Sequence, residues 1–258
     1  MATPIKELKV DRLNVKIYPD RETLGKAAGL AAAARIRSMQ LAAEGCLSLA
    51  FAAAPSQQET LEALGGEPGV DWSRIDAFHL DEYLGLPAGA PQSFGRWLRD
   101  RLFDRLPFHR VYYLDGAAAD AQAECQRYTR LLQDHPLDMA FLGIGENGHL
   151  AFNDPGVADF QDPLRVKVVD KLDDACRRQQ LHDGQFRALA EVPTRAVTLT
   201  IPALFSARAV LVAVPGSRKA EIVRRTLRGP IGAFCPATVL RGHPNACLFL
   251  DQDSAALL

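Results

Sequence analysis

No excess of either charge marks this sequence: 30 Lys and Arg stand against 31 Asp and Glu in 258 residues. Without a bulk positive field, neither nucleic acid nor an anionic membrane is an expected partner, and an anionic ligand has to be held by a few local groups. Cysteine is sparse and poorly spaced for a framework. Cys46, Cys125, Cys176, Cys235 and Cys247 are odd in number and include no C-x-x-C pair, which argues against disulfides and against a zinc site. No apolar run approaches the roughly 20 residues that span a bilayer. Residues 1–12 are mixed charged and polar with no apolar leader segment, so the expected location is cytoplasmic. No internal repeat, low-complexity tract or long Pro/Gly/Ser linker divides the chain.

What the sequence does have is core material, with 48% hydrophobic residues, and a regular alternation of short apolar runs with helix-like stretches. Strands are expected at 15–18, 46–52, 75–80, 139–143, 166–169, 196–201, 209–214 and 246–250. Helices are expected at 22–44, 57–64, 94–102, 121–133 and 218–227. Strands separated by helices predict an α/β fold: one domain over 1–258, with a mostly parallel sheet and helices on both faces. In such sheets ligands sit beyond the carboxyl ends of the strands, which directs attention to the residues that follow them.

Three of those places carry unusual chemistry. After the third strand stands Asp81-Glu82-Tyr83-Leu84-Gly85-Leu86-Pro87, where neighbouring acids at a strand end suit proton transfer or merely open a solvated loop. After the fourth comes Gly143-Ile144-Gly145-Glu146-Asn147-Gly148-His149-Leu150-Ala151-Phe152-Asn153-Asp154-Pro155-Gly156. It contains a formal G-x-G-x-x-G, but Asn153–Gly156 reads as a turn where a dinucleotide site needs a long helix. It supplies instead a flexible loop bringing an imidazole near an amide and a carboxylate, a natural acid/base pair. The third, Val214-Pro215-Gly216-Ser217-Arg218-Lys219, reads as strand, turn and helix with Ser217 as N-cap. The amides of that first turn and Lys219 offer either an anion site or an ordinary capped helix. Upstream, Arg177-Arg178-Gln179-Gln180 offers guanidinium groups that grip phosphate or face solvent.

Together these segments resemble the glucosamine-6-phosphate deaminase/isomerase family, within the wider 6-phosphogluconolactonase-related superfamily. Residues 81–87 are similar to its D-E-Y-x-G-L-P, residues 143–155 to its G-x-G-x-[DN]-G-H-[IL]-[AG]-F-N-E-P, and residues 216–220 to its G-x-x-K-A. The resemblance implies a modified Rossmann-like fold and cofactor-free, metal-free deamination coupled to aldose–ketose isomerisation. The substrate is a small sugar phosphate, and a homo-oligomer is the general prior. It implies Asp81 as the base between C2 and C1, and His149 as the ring-opening group, oriented by Asp154. Asn147 stands where the family often carries an acid and joins that catalytic set. Lys219 and Arg178 would hold the phosphate, with Ser56, Glu82 and Gly145 as further substrate-binding positions. The family's Gly-Gly-[ST]-Pro loop is replaced by Ala52-Ala53-Ala54-Pro55-Ser56-Gln57-Gln58-Glu59. Ser56 to Glu59 there fits a capping box, whose carboxylate would compete with a phosphate for the same amides. A 6-phosphogluconolactonase-like hydrolase and a non-catalytic sugar-phosphate-binding protein are the alternative readings.

Overall fold

The computed structural model of the chain describes residues 3–258. It opens with an antiparallel hairpin, β1 (Lys6–Val10) and β2 (Leu13–Tyr18). Asp20 then caps α1 (Arg21–Ala42), its carboxylate accepting from the Thr23 amide at 2.7 Å. β3 (Leu47–Phe51) leads through a tight turn into α2 (Gln58–Gly66), which lies close against α1. A Cβ at Gly29 would stand 2.6 Å from that of Ala63, so this approach needs glycine. β4 (Ile75–His79), the short β5 (Asp81–Tyr83), α3 (Phe94–Leu98), β6 (Arg110–Tyr112), α4 (Ala121–Asp134) and β7 (Met139–Leu142) follow. The second half adds β8 (Val166–Val169), α5 (Asp174–His182), β9 (Ala196–Leu199) and α6 (Ile201–Phe205). It ends with β10 (Ala209–Val214), α7 (Ala220–Arg228) and β11 (Ala246–Asp251).

Eight strands form the main sheet in the order β1-β2-β11-β10-β7-β3-β4-β6. Every pairing except β1 with β2 is parallel. β3 and β10 are buried along their whole length, as strands covered on both faces must be. α1 and α2 cover one face through Leu24, Ala28, Ile36, Leu61 and Leu64. α4 and α7 cover the other through Tyr128, Leu132, Ile222 and Val223. The expected α/β architecture is therefore present, with two corrections. Segments 166–169 and 196–199 do form strands, but outside the main sheet, and the expected 200–201 instead cap and begin α6. β8 and β9 join β5 in a separate antiparallel sheet, order β5-β9-β8. β1, β5, β6, α5 and α6 were not expected from the pattern. The small sheet has its own aromatic core, in which Tyr83, Phe94, Phe152 and Phe186 meet. It matters functionally because the chain steps from β4 into β5 at Leu80, and that step aims Asp81. Among the described residues no helix is long and apolar enough to cross a membrane.

Candidate active site

The carboxyl ends of β3, β4, β7 and β10 border a cleft of about 720 Å³, open to solvent. Its lining includes Ser56, Asp81, Gly145, His149, Gln180, Asp183 and Lys219, against apolar walls from Phe94, Trp97, Ile144 and Phe152.

Asp81 enters this cleft because β5 pairs with β9 and puts Asp81 opposite Thr198. Successive residues of a strand point to opposite faces, so Glu82 has to turn away. Glu82 accepts from the amides of Tyr83 (3.0 Å), Phe94 (3.0 Å) and Gly95 (2.9 Å), tying the following loop to the start of α3. Burial pushes its carboxyl up to about 7 against the pull of those amides. Glu82 lines a neighbouring hollow with Arg96 and Arg99, not the cleft, so the substrate-binding position expected for it does not hold. Asp81, by contrast, is 8% exposed and makes no side-chain hydrogen bond among the described residues. Burial raises its carboxyl well above the usual carboxylate range, and the nearby Glu82 and Asp154 add to this.

His149 lies on the loop after β7. Its Nδ1 is 2.8 Å from Oδ1 of Asn147 and 3.1 Å from Oδ1 of Asp154. Asn147 spends its own N–H on Asp154 at 2.9 Å. Both oxygens facing Nδ1 are therefore acceptors, which places a ring proton on Nδ1, while Nε2 has no protein partner among the described residues. Asp154 is fully buried. Burial alone would raise its carboxyl, but the bonds from His149 and Asn147 outweigh it and hold the group below its ordinary value. Gly145 serves the same ring: a Cβ there would run into the His149 imidazole, so the glycine makes room for it. Cys176 brings a third donor atom within 4.8 Å of His149 and Asp154. Burial pushes its thiol well up, so in the structure as it stands Cys176 packs beside the His149–Asp154 pair as a neutral thiol.

The altered loop behaves differently from its expected capping box. Ala54, not Ser56, stands at the N-cap of the turn Pro55–Gln57, and no side chain caps it. Glu59 pairs with Arg21 of α1, its oxygens 2.7 and 3.1 Å from the guanidinium, while Arg21 also donates to the Pro55 carbonyl. A long-range partner wins the carboxylate, so the conflict between Glu59 and an incoming anion does not arise. Gln57, fully buried, donates to Ser56 Oγ and to the Ala213 carbonyl, both at 3.1 Å, pinning the loop to β10. Ser56 lines the cleft, and its hydroxyl donates to no group among the described residues.

At the far side, Gly216 rather than Ser217 is the N-cap of the turn Ser217–Lys219, in a left-handed conformation with φ 97°. Its amide is anchored on the Asp251 carboxylate at 3.0 and 2.9 Å. Lys219 is 9% exposed, and its side-chain ammonium has no hydrogen-bond or ion-pair partner among the described residues. Burial lowers its pKa, opposed by Asp183 and Glu146. An unpaired buried ammonium lining a cleft is an arrangement built for an anion. Arg178 does not join it. On α5 it is exposed and lies outside the cleft, while Arg177 donates to the carbonyls of Leu189 and Val192 at 2.7 and 3.0 Å. The face of α5 that looks into the cleft carries Gln179 and Gln180 instead, and sequence reasoning missed both, with Asp183.

A family model described as glucosamine-6-phosphate isomerases/6-phosphogluconolactonase matches residues 19–248. The chain belongs to that family. A glucosamine-6-phosphate deaminase of Listeria monocytogenes is 36% identical over 203 residues, covering 79% of this chain and 84% of the relative. One of Bacillus cereus is 39% identical over 188 residues, covering 73% and 70%. Among solved structures, a monomeric glucosamine-6-phosphate deaminase superposes with TM-score 0.85 at 29% identity, over 95% of this chain and 99% of that one. The 6-phosphogluconolactonase of Thermotoga maritima shares the fold at TM-score 0.74 and 21% identity, over 93% and 99%. Within this family frame, Asp81, His149, Asn147, Asp154, Ser56, Gly145 and Lys219 are gathered in or directly behind one cleft, and Arg178 and Glu82 are not.

Proposed function

We propose that this chain is an enzyme converting glucosamine 6-phosphate and water to fructose 6-phosphate and ammonia. The observation that carries the reading is Asp81, a buried carboxyl without a protein partner, in the same cleft as an imidazole whose Nδ1 proton is already committed. The deaminase relatives support it over 79% and 73% of the chain.

In this reading Nε2 of His149 moves the proton that opens the pyranose ring, while Asn147 and Asp154 fix the ring's tautomer and orientation. Asp81 removes the C2 proton of the open-chain aldehyde and returns a proton to C1, so C2 is oxidised as C1 is reduced. The amine at C2 thereby becomes an imine; water adds to it and ammonia leaves, giving the ketose. A carboxyl whose pKa is raised by burial is a stronger base once ionised than an exposed one, which suits a weakly acidic C–H. Lys219, with the Ser56 hydroxyl, holds the phosphate. The hydrolytic event is the loss of ammonia, subordinate to isomerisation. A lactone hydrolase would have no proton to take from C2 and would leave Asp81 without a task.

The test is a panel of hexose phosphates and 6-phosphogluconolactone, with ammonia and ketose phosphate measured separately. Ammonia and ketose from glucosamine 6-phosphate alone are expected. Lactone hydrolysis without ammonia would transfer the chain to the other branch.

A further inference from the structure

The phosphate-holding end of the cleft is short of positive charge. Lys219 is the one Lys or Arg among the lining residues, and Asp183 stands in the same lining. Of the two α5 guanidinium groups, one is bound to carbonyls and the other is exposed and away from the cleft. Two glutamines occupy the face they leave. Gln179 is committed: its Oε1 accepts from the Glu146 amide at 2.9 Å and its Nε2 donates to Asp183 at 3.3 Å. Gln180 is not. It is 9% exposed, it lines the cleft, and its side-chain amide has no hydrogen-bond partner among the described residues. Its amide atoms are not among those sealed from solvent without a partner, so they are open to the cleft and can be reached by a ligand. Gln180 and Lys219 line the same cleft.

We propose that Gln180 is a specificity-determining residue that shares the substrate's phosphate with Lys219. The inference rests on the sugar-phosphate reading of the cleft and deepens it. The Gln180 N–H groups donate to phosphate oxygens that Lys219 leaves free, so the anion is held by one full charge supplemented by neutral donors. A neutral donor to a charged acceptor is directional but lacks the long-range attraction and the fork geometry of a guanidinium. This subsite therefore recognises phosphate by hydrogen-bond count, and a second cation at residue 180 would strengthen it.

Binding of inorganic phosphate and of glucosamine 6-phosphate to the full chain, measured by calorimetry, tests this with three variants. Gln180→Ala should weaken inorganic phosphate roughly tenfold, the value of one hydrogen bond to a charged group. Gln180→Arg should tighten it by a similar factor. Arg178→Ala should leave it unchanged. Thermal unfolding checks each fold, and if Gln180→Ala does not fold, Gln180→Arg carries the test. Phosphate binding indifferent to both Gln180 variants, or weakened as much by Arg178→Ala, overturns the proposal. The two readings fail separately. Phosphate that follows residue 180 without turnover of glucosamine 6-phosphate keeps the subsite and removes the reaction. Turnover with phosphate indifferent to residue 180 does the reverse.

Discussion

Replacing Asp81 with asparagine separates a functional carboxyl from a structural one, because the two roles move stability in opposite directions. Asp81 is buried and makes no protein hydrogen bond among the described residues, so the fold gains nothing from its charge. Its carboxyl is raised by burial first, then by Glu82 and Asp154. A group with a folded pKa above its unfolded one contributes stability that is complete below the unfolded value and is lost as pH rises through the folded one. Above the unfolded value the carboxyl is therefore a cost to the fold, and the isosteric amide removes that cost. The amide is still without a protein partner, so only the charge penalty is relieved, and a gain of about 1 kcal/mol is the scale expected of such a single substitution. In a chain of this size each kcal/mol moves Tm by roughly 2–4 °C. Turnover should fall by about 10²–10⁴, the contribution of a positioned general base. The assay pairs differential scanning calorimetry at pH 8 with ammonia release and with exchange of the C2 proton for solvent deuterium. Wild-type exchange in the variant would remove Asp81 from the chemistry. A lower Tm accompanying lost exchange would make it a structural residue whose loss disables the cleft indirectly.

Further expectations follow from the same geometry. Lys219→Met should raise Tm by a few degrees at neutral pH, since it deletes an unpaired buried cation, while raising KM for phosphorylated substrate by roughly 10²; a lower Tm with unchanged KM would refute the anion role. Gly145→Ala should keep the fold yet displace the His149 ring, at a cost of about 10² in kcat, as ångström-scale misplacement typically brings; wild-type kcat would show the ring has room to spare. His149→Gln should impair cyclic substrate more than the reverse reaction from open-chain ketose phosphate, and equal losses would take His149 out of ring opening. The acid limb of kcat/KM should lie above the ordinary carboxylate range in the wild type because Asp81 must be ionised to act, and a limb near pH 4 would contradict its raised pKa.

Much of the site was legible because the chemistry sits at strand ends in contiguous segments. Asp81, His149 and Lys219 each follow a buried strand, and Asn147 and Asp154 lie within a few residues of the imidazole they hold. The parts that were not legible depend on partners distant in sequence or on helix phase. Glu59 fits a capping box by spacing, yet Arg21, 38 positions away, takes its carboxylate. The stretch Arg177–Gln180 lies on a helix of nine residues with weak amphipathicity, so its phase could not be read; Arg178 and Gln180, two positions and about 200° apart, lie on nearly opposite faces. Glu82 was misplaced because β5 is three residues long, too short for its alternation to show before its partner β9 is known. For the same reason β8 and β9 read as strands of the main sheet: an apolar run marks a strand without saying which sheet receives it.

The account rests finally on whether the chain moves a proton from C2 to C1 of an amino-sugar phosphate and then releases nitrogen. A proton NMR time course of glucosamine 6-phosphate with the enzyme in deuterated water reads both events in one sample. The predicted result is fructose 6-phosphate carrying deuterium at C1, accumulating with an equal amount of ammonium, and neither product with Asp81→Asn. Substrate that persists with its C2 proton intact, in a folded wild-type sample that still binds phosphate, would contradict it.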